Sequence, residues 1–411
     1  MDNLDHRQLG TTLDLFHQQD EGPGMVFWHP RGWELYRVIE DYVRRRMRGA
    51  GFREVRTPQL LARSLWERSG HWDKFRESMY SVNQAEERRP YCLKPMSCPC
   101  HVQIFNHEVR SYRDLPIRYS EFGACHRDEP SGSLEGLKRT RAFTQDDAHV
   151  FCAEHQVASE VGKFCDLLRA IYTDLGFSTF HVVLATRPEL RAGDEAVWDR
   201  AEATLAQAAS AAGLTFEIRC GEGAFYGPKL EFHLLDSRDR SWQCGTIQLD
   251  FVLPDRLDAH FVNLDNQHLR PVIIHHAVLG SMERFIAMLL EHHEGWLPMW
   301  LAPDQLTVAT VSDSSASYAR RIMALLEEAG LRALLDDRSE RLERKVVDAR
   351  ERRIPVFITV GNRDRQNETL SLRLRDGTQH TLALAAGLAY LRDMARPPAM
   401  RVASNSGAPS E

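Results

Sequence analysis

The sequence contains no hydrophobic run of the roughly 20 residues that a transmembrane helix requires. Its N-terminal residues, MDNLDHRQ, are polar and acidic, unlike a secretory signal peptide. The eight cysteines are scattered over 411 residues, which excludes a small disulfide-linked fold. The net charge of −6 excludes a uniformly basic surface, so any nucleic-acid contact requires a local basic patch. These absences predict a cytoplasmic protein with no membrane association, and the length predicts two or three domains.

Residues 118–149 place charged and polar side chains in a strand-like pattern. Two strand-like segments flank residues 128–138, which are rich in Pro, Ser and Gly and predict a long hairpin loop. Because side chains alternate between the two faces of a strand, one face is expected to carry Arg139, Arg141, Phe143, Gln145, Asp147 and His149, with Glu121, Cys125, Arg127 and Glu129 on the partner strand. Arginines beside one aromatic ring suit the phosphates and base of a nucleotide. The alternative is a solvated sheet face with cross-strand ion pairs.

The phrases HRDEPSGSL (126–134) and FTQDDAHVF (143–151) make this stretch resemble motif 2 of the class II aminoacyl-tRNA synthetases, in their threonyl form. The resemblance runs from about residue 6 to about residue 396. It implies an α/β protein. Residues 1–301 would form an α+β catalytic domain, an antiparallel sheet flanked by helices, and residues 302–397 a small α/β anticodon-binding-like domain. The alternation of strands and helices after Leu301 independently indicates an α/β domain. Residues 398–411 are predicted to be a disordered tail.

Two further stretches resemble family motifs. An amphipathic helix over residues 32–50, followed by a strand that runs into Pro58, resembles motif 1 and implies a homodimer interface. The sequence GSMERF (280–285) resembles motif 3 and opens a helix that carries Arg284. His71 stands in a GHWD context that implies a position beside the terminal ribose of tRNA, where it would assist proton movement during transfer.

The resemblance also implies the ligands of ATP and of the amino acid. Arg127 would hold the α-phosphate, Arg284 the outer phosphate, and Mg²⁺ would neutralise the phosphates. Arg127, Arg284 and His71 are therefore the expected catalytic residues. The ATP site would comprise Arg127, Glu129 at the adenine edge, Arg139, Phe143 stacked on the base, Gln243, Thr246 and Arg284. The amino-acid site would comprise Met96, Gln145, Asp147, Tyr226, Lys229 and Gln248.

Three distant residues, Cys98, His149 and His275, lack the close spacing of a zinc finger. The resemblance joins them as the ligands of one zinc ion per chain. Three protein ligands leave positions open on zinc, and in the family the amino group and hydroxyl of threonine fill them. An apolar pocket cannot strongly separate threonine from isosteric valine, whereas a metal that must bind the hydroxyl can.

The chain departs from the family pattern at five positions. Cys100 and Ala142 replace glycines, and His276 replaces an arginine. Cys100 is either a small residue that fits its position or one that reaches the zinc and reshapes the pocket. In the second domain, Ser339 stands where the family usually has asparagine and Glu343 where it has glycine. The choice of amino acid and the reading of the anticodon stay open at this point.

The sequence therefore predicts an enzyme that activates L-threonine with ATP and transfers it to tRNA-Thr. Only a few polar residues precede the catalytic domain, so the chain is expected to lack the N-terminal and editing domains of its relatives. One alternative is a paralogue that passes the aminoacyl group to a carrier protein or small molecule. Another is a non-catalytic sensor or a binder of tRNA-like structures.

Overall fold

The computed structural model describes residues 5–82 and 90–401. The chain forms two compact units, the first made of Met1–His6, Gln18–Phe27 and Val43–Leu289, the second of Arg7–His17, Trp28–Tyr42 and Leu290–Glu411. Among the described residues, the helices are all too short or too polar to cross a membrane. The domain boundaries at residues 301 and 397 stay predictions. A 3-10 turn covers Pro398–Met400, and the predicted tail beyond residue 401 lies outside the described residues.

The helices and strands are numbered here in chain order. The α-helices are α1 His6–Thr12, α2 Pro30–Gly49, α3 Arg63–Ser69, α4 His71–Phe75, α5 Cys98–Phe105, α6 Val157–Asp174, α7 Glu195–Ala211, α8 Leu253–Arg256, α9 Met282–His292, α10 Ala316–Glu328, α11 Leu342–Glu351, α12 Asn362–Asn367 and α13 Leu384–Met394. The strands are β1 Phe16–His17, β2 Phe27–Trp28, β3 Arg53–Glu54, β4 Leu60–Ala62, β5 Ser81–Val82, β6 Tyr91–Leu93, β7 Arg110–Ser111, β8 Ile117–His126, β9 Ala142–Cys152, β10 His181–Ala185, β11 Glu217–Arg219, β12 Lys229–Leu235, β13 Ser241–Asp250, β14 Phe261–Val262, β15 His268–Leu269, β16 Val272–Ala277, β17 Leu306–Thr310, β18 Ala333–Asp336, β19 Val356–Val360, β20 Thr369–Leu374 and β21 Gln379–Ala383.

An eight-stranded sheet forms the centre of the first unit, in the order β11, β10, β12, β13, β16, β9, β8, β3. Its six inner strands pair antiparallel, and the two edge strands pair parallel. This confirms the predicted antiparallel sheet. The strand expected after the first long helix is much shorter than predicted: only β3, Arg53–Glu54, joins the sheet, beside β8.

The register of this sheet aligns four predicted site residues in one row. Lys229 lies opposite Gln248, Gln248 opposite His275, and His275 opposite His149. Residues directly opposite each other on neighbouring strands project from the same face of a sheet. Four residues that are far apart in the chain therefore share one face because of strand pairing alone.

The other face of the sheet is covered by α6. Its apolar residues recur at intervals of three and four, as an amphipathic helix requires, and are buried: Val157, Val161, Phe164, Leu168 and Ile171. Phe164 packs against Phe232 of β12, with ring centroids 5.8 Å apart. A Cβ on Gly245 of β13 would lie 2.6 Å from Leu168, so glycine permits the close approach of helix and strand. Burial of one face by α6 leaves the opposite face for the polar row.

The second unit is built around a five-stranded sheet in the order β18, β17, β19, β20, β21. The first three of these strands are parallel and the last two antiparallel. The alternation of strands and helices expected after Leu301 includes the helices α10 and α11. Tyr318, Ile322 and Leu326 of α10 pack into the core with Leu306 and Val308. The predicted α/β architecture of this region is confirmed.

Candidate active site

A cavity of about 750 Å³ lies in the first unit, on the polar face of its sheet. Strands β9, β12 and β13, the loop around Arg127 and the start of α9 contribute its walls. Twelve of the residues predicted from the sequence line it: Met96, Arg127, Glu129, Arg139, Phe143, Gln145, Tyr226, Lys229, Gln243, Thr246, Gln248 and Arg284. The structure therefore brings all seven predicted nucleotide residues, and every predicted amino-acid residue except Asp147, into a single cavity.

Two arginines of this cavity are held in place by backbone carbonyls. Arg284 donates from Nε to the Lys138 carbonyl at 2.9 Å and from Nη1 to the Gln243 carbonyl at 2.8 Å. Arg127 donates from Nε to the Pro95 carbonyl at 3.2 Å, and its guanidinium lies 5.1 Å from the centroid of the Phe143 ring. Burial lowers the pKa of Arg284 from its ordinary value. Fixed guanidinium groups in a recessed site suit a phosphate chain.

The turn before α9 is fixed by one buried carboxylate, that of Asp146. Asp146 of β9 accepts hydrogen bonds from the backbone amides of Val278, Leu279 and Gly280 at 2.8–2.9 Å. Burial raises the pKa of Asp146 to about 7, against the opposing effect of these amides. Gly280 has φ +82°, and a Cβ there would lie 2.4 Å from a backbone oxygen of β13. Only glycine suits this position, so the start of α9, and with it Arg284, is placed by the turn.

Trp242 is a cavity residue that the sequence reasoning missed. Three cations surround its ring, with Lys138 at 5.3 Å, Arg240 at 5.5 Å and Arg284 at 5.8 Å from the centroid. Asp236 holds this group together, because it accepts from Lys138 at 2.7 Å and from the Trp242 indole at 2.9 Å. Strand alternation counted back from Thr246 and Gln248 would have selected Trp242.

At the other end of the cavity, the polar groups suit an amino acid. The Tyr226 hydroxyl donates to Gln248 at 2.7 Å, and Lys229 pairs with Glu231 at 2.6 Å. The side-chain oxygen of Gln145 is buried and has no hydrogen-bond donor among the described residues. A buried acceptor without a donor is costly, so the site offers this oxygen to a ligand such as an ammonium group.

Cys98, His149 and His275 converge directly behind Tyr226. Their ligand atoms all lie within 4.8 Å of one another, and all three residues are buried. Nε2 of His149 lies 3.0 Å from Nδ1 of His275, and the Tyr226 ring stacks on the His275 ring at 5.0 Å. One thiol and two imidazoles are ligands that zinc prefers. Two nitrogens bound to one zinc lie roughly 3.3 Å apart, so the donor set and its spacing fit this metal.

A buried polar network extends from the histidine pair on both sides. Nε2 of His275 lies 2.9 Å from Oδ2 of Asp250. On the other side, Nδ1 of His149 lies 2.7 Å from Nδ1 of His101, whose Nε2 lies 3.2 Å from Glu121. Glu121 also accepts from the backbone amide and the hydroxyl of Thr57 and from Lys94 at 3.1 Å. Neither His101 nor Asp250 was singled out from the sequence, where no spacing connects them to the predicted ligands.

Besides the three candidate metal ligands, two predicted site residues lie outside the lining of the cavity. His71 is fully buried, with Nδ1 2.8 Å from the Ser69 hydroxyl and Nε2 3.6 Å from the Cys98 sulfur. Burial, together with nearby cationic groups, lowers the pKa of His71 to about 3, which makes its ring neutral. Asp147 is buried and accepts from the Ser97 amide at 3.1 Å. Burial raises the pKa of Asp147.

The expectation that Arg141 shares the polar face with Arg139 differs from the structure. Strand β9 begins only at Ala142, so strict alternation does not apply before it. Arg141 instead donates to the Glu129 carbonyl at 2.9 Å and to the Ser131 hydroxyl at 3.2 Å. Arg141 thus fixes the predicted hairpin loop, while Arg139 lines the cavity.

The three family departures in the first unit have separate locations. Cys100 packs with Trp66, Met79 and Cys92, outside the group of convergent ligand atoms. Burial raises the pKa of its thiol to about 11. His276 projects from the face opposite to His275, where its ring contacts Phe164 at 4.6 Å. Ala142 is half-buried at the start of β9. The structure therefore favours the interpretation of Cys100 as a small residue that fits its buried position.

Two family models match the chain. The tRNA synthetase class II core domain (G, H, P, S and T) matches residues 80–293, and the anticodon binding domain matches residues 305–394. The first covers every predicted site residue except His71. The second covers the strands and helices from β17 to α13.

The chain is 54% identical to the threonine–tRNA ligase of Caulobacter vibrioides over 96% of its own length and 60% of that protein's. It is 51% identical to the threonine–tRNA ligase of Gluconacetobacter diazotrophicus, over 97% of its length and 62% of that protein's. The chain therefore spans about 60% of the length of the curated relatives it matches. Among solved structures, the RNA binding domain of threonyl-tRNA synthetase from Cryptosporidium parvum Iowa II superposes with a TM-score of 0.92 at 39% identity, covering 95% of this chain and 98% of that one. The chain thus belongs to the class II tRNA synthetase family, in its threonyl-tRNA synthetase branch.

Proposed function

We propose that this protein activates L-threonine with ATP to threonyl-adenylate and pyrophosphate, and transfers the threonyl group to tRNA-Thr. The observation that carries the proposal is the convergence of two carbonyl-held arginines and a Cys-His-His group around one cavity. The arginines suit a phosphate chain, and the Cys-His-His group suits a metal that recognises the side-chain hydroxyl. The curated relatives in the threonyl branch support the same reaction.

Activation requires positioning and charge stabilisation, with little covalent chemistry by side chains. In the proposed complex Arg127 would hold the α-phosphate, which bears the developing charge, and Arg284 would hold the outer phosphate. Mg²⁺ bound with ATP would neutralise the phosphates. Phe143 stacks on the adenine, and Glu129 accepts from its amino group. Gln243, Thr246 and Arg139 complete the nucleotide site. Fixed guanidinium groups stabilise a developing charge well, because they need little reorganisation during the reaction.

The amino acid occupies the opposite end of the cavity. Gln145 offers its donor-free oxygen to an N–H of the substrate's amino group, and Met96, Tyr226, Lys229 and Gln248 surround the substrate. Asp147, which lies outside the cavity lining, helps to orient the amino acid. Cys98, His149 and His275 would hold one zinc ion, whose open positions supply Lewis-acid recognition of the amino group and hydroxyl. His71 lies close to these residues, with Nε2 3.6 Å from the Cys98 sulfur, and is proposed to assist proton movement during transfer.

Transfer RNA is the proposed acceptor, because the second unit matches the anticodon binding domain. This match favours tRNA over a carrier protein or a small molecule. Ser339 precedes α11, and Glu343 lies in its first turn. Measurements of tRNA-Thr binding would test whether these two residues affect anticodon reading. We also propose that the protein is a homodimer, since the segment from α2 to β3 resembles motif 1. We propose the cytoplasm as its compartment, because translation takes place there. Analytical ultracentrifugation tests the dimer.

The first experiment is threonine-dependent exchange of pyrophosphate into ATP, followed by charging of purified tRNA-Thr. We expect both activities, one zinc ion per chain, and loss of zinc on Cys98→Ala, His149→Ala or His275→Ala. Exchange without charging would support the alternative acceptor and refute the tRNA assignment. Full threonine activation by a metal-free protein would refute the zinc site.

Competing amino acids test the role assigned to the metal. Serine retains the hydroxyl and lacks one methyl group, which is worth roughly tenfold to two-hundredfold in discrimination. Valine fills the same volume but offers no hydroxyl to the metal. We therefore expect valine to be activated far more weakly than serine. Equal activation of valine and serine would mean that shape alone selects the substrate.

A further inference from the structure

We propose that Asp250 and the pair His101–Glu121 determine through which ring nitrogen each histidine binds the metal. In this assignment His275 binds through Nδ1 and His149 through Nε2. The inference rests on the proposed zinc site and concerns three residues outside the proposed ligand set. Histidine ligands of metals are generally oriented by a hydrogen bond from the second ring nitrogen. Here the two histidines use different partners, on opposite sides of the pair.

The assignment for His275 follows from the bonds that Asp250 already makes. Oδ1 of Asp250 accepts from the amides of Val252 and Leu253 at 2.7 and 2.9 Å, which fixes the carboxylate at the start of α8. Its other oxygen, Oδ2, lies 2.9 Å from Nε2 of His275. An ionised carboxylate only accepts hydrogen bonds, so Nε2 of His275 carries the proton. Nδ1 of a neutral ring then has a free lone pair.

The assignment for His149 passes through one further ring. Glu121 is fixed by Thr57 and Lys94, and only accepts as a carboxylate. Nε2 of His101, 3.2 Å from Glu121, therefore carries the proton of that ring. Nδ1 of His101 is then an acceptor, so Nδ1 of His149 at 2.7 Å must be the donor. This leaves the lone pair on Nε2 of His149.

The two free lone pairs face each other. Nε2 of His149 and Nδ1 of His275 lie 3.0 Å apart, with the Cys98 sulfur within 4.8 Å of both. Two acceptors at this distance repel unless a cation lies between them. The outer carboxylates thus prevent the direct hydrogen bond that would otherwise join the two histidines. The network keeps both nitrogens available to a metal, and so acts as a positioning device.

The proton positions can be measured on the metal-free protein. Long-range ¹H–¹⁵N correlation spectra of histidine-labelled chain distinguish the two tautomers of each ring, and single-histidine variants assign the signals. We expect the proton on Nδ1 of His149 and on Nε2 of His275. A proton on Nδ1 of metal-free His275, or on Nε2 of metal-free His149, would overturn the inference.

Asp250→Asn is the most direct variant. The asparagine oxygen still accepts from Val252 and Leu253, but its amide now donates to Nε2 of His275. The proton of His275 moves to Nδ1, where it donates to His149 and blocks the metal position. We expect zinc affinity, measured by competition with a chelator, to fall by roughly tenfold to hundredfold or more. The metal-free variant should be as stable as metal-free wild type, or more stable, because the two histidines now share a hydrogen bond.

His101→Phe tests the part of the network that orients His149, since it removes the acceptor for Nδ1 of His149 and keeps an aromatic ring. His149 should then populate both tautomers, with weaker zinc binding and a changed cobalt absorption spectrum. Asp174→Asn is the control, because Asp174 is a buried carboxylate of the same unit that pairs with Arg46 at 2.7 Å. Zinc affinity should be unchanged in this control.

The outcomes separate the inference from the proposed function. A purely structural role for Asp250 predicts lower stability of the metal-free variant, with zinc affinity lost only through unfolding, and this result would overturn the inference. Unchanged zinc affinity in a folded Asp250→Asn chain would also overturn it, while the zinc site itself would stand. If wild-type protein binds no zinc, both the zinc site and the inference fail.

Discussion

Arg284→Lys keeps the positive charge but changes how it can be held. In the wild type the planar guanidinium donates to two backbone carbonyls at 2.9 and 2.8 Å. In the part of the chain that the structure describes, its remaining donors have no acceptor, so they can bind the nucleotide. A lysine ammonium is a single flexible point with three donors and cannot reproduce this fork. If lysine satisfies the carbonyls, it withdraws from the phosphate, and if it reaches the phosphate, the carbonyls lose their donor.

The expected losses of exchange rate and of stability follow from the two functions of the guanidinium, which binds phosphate and satisfies two carbonyls. Removing one preorganised donor from a developing charge costs about 10²–10³ in rate, so pyrophosphate exchange by Arg284→Lys should fall by about that factor. Arg284→Ala should show at least this loss. It should also unfold more easily, because each carbonyl left without a donor costs about 1–3 kcal/mol. The lysine variant should retain more stability than the alanine variant.

The assay is threonine-dependent pyrophosphate exchange over a range of ATP concentrations, with urea unfolding in parallel. Arg113→Lys is the control, because Arg113 is an exposed arginine in the same unit whose neighbour is Tyr112. Exchange by Arg284→Lys at the wild-type rate would refute the assignment. Loss of exchange only in proportion to unfolded protein would show that Arg284 is structural.

Three further predictions follow from buried features of the first unit. Cys100→Gly should leave zinc content, the cobalt spectrum and the preference for threonine over serine unchanged; a shifted spectrum would contradict its interpretation as a small residue that fits its buried position. Hydrogen bonds from His101 and Thr57 outweigh burial and lower the pKa of Glu121 from 4.5 to about 2. Ionised Glu121 thus contributes stability on the order of 3 kcal/mol above pH 4.5, and this contribution is lost as the pH falls towards 2. The free energy of unfolding of Glu121→Gln should therefore depend less on pH between 4.5 and 2 than that of the wild type. An unchanged pH dependence would count against the network. Gly280→Ala should lower the free energy of unfolding by about 2 kcal/mol or more and slow exchange, whereas the open helical Gly162→Ala should do neither.

The elements themselves could be predicted well where local pattern decides them. The apolar spacing within residues 32–50 predicted α2 to within two residues of its observed bounds, Pro30–Gly49. The Pro- and Gly-rich stretch between β8 and β9 defined the hairpin loop. Strand β3 was overestimated, because β propensity indicates which residues suit a strand but not how many find a partner.

The amino-acid sequence by itself determined the residue types of the site and, through long motif phrases, its family. It could not join Cys98, His149 and His275 by spacing, because they lie on an α-helix and two strands that meet only in the folded sheet. Nor could it find Trp242, or the connection of His101 and Asp250 to the histidine pair. Those relations depend on strand register and on buried hydrogen bonds between distant segments. Local sequence fixes which groups a segment offers, but only tertiary packing decides which of them lie within bonding distance.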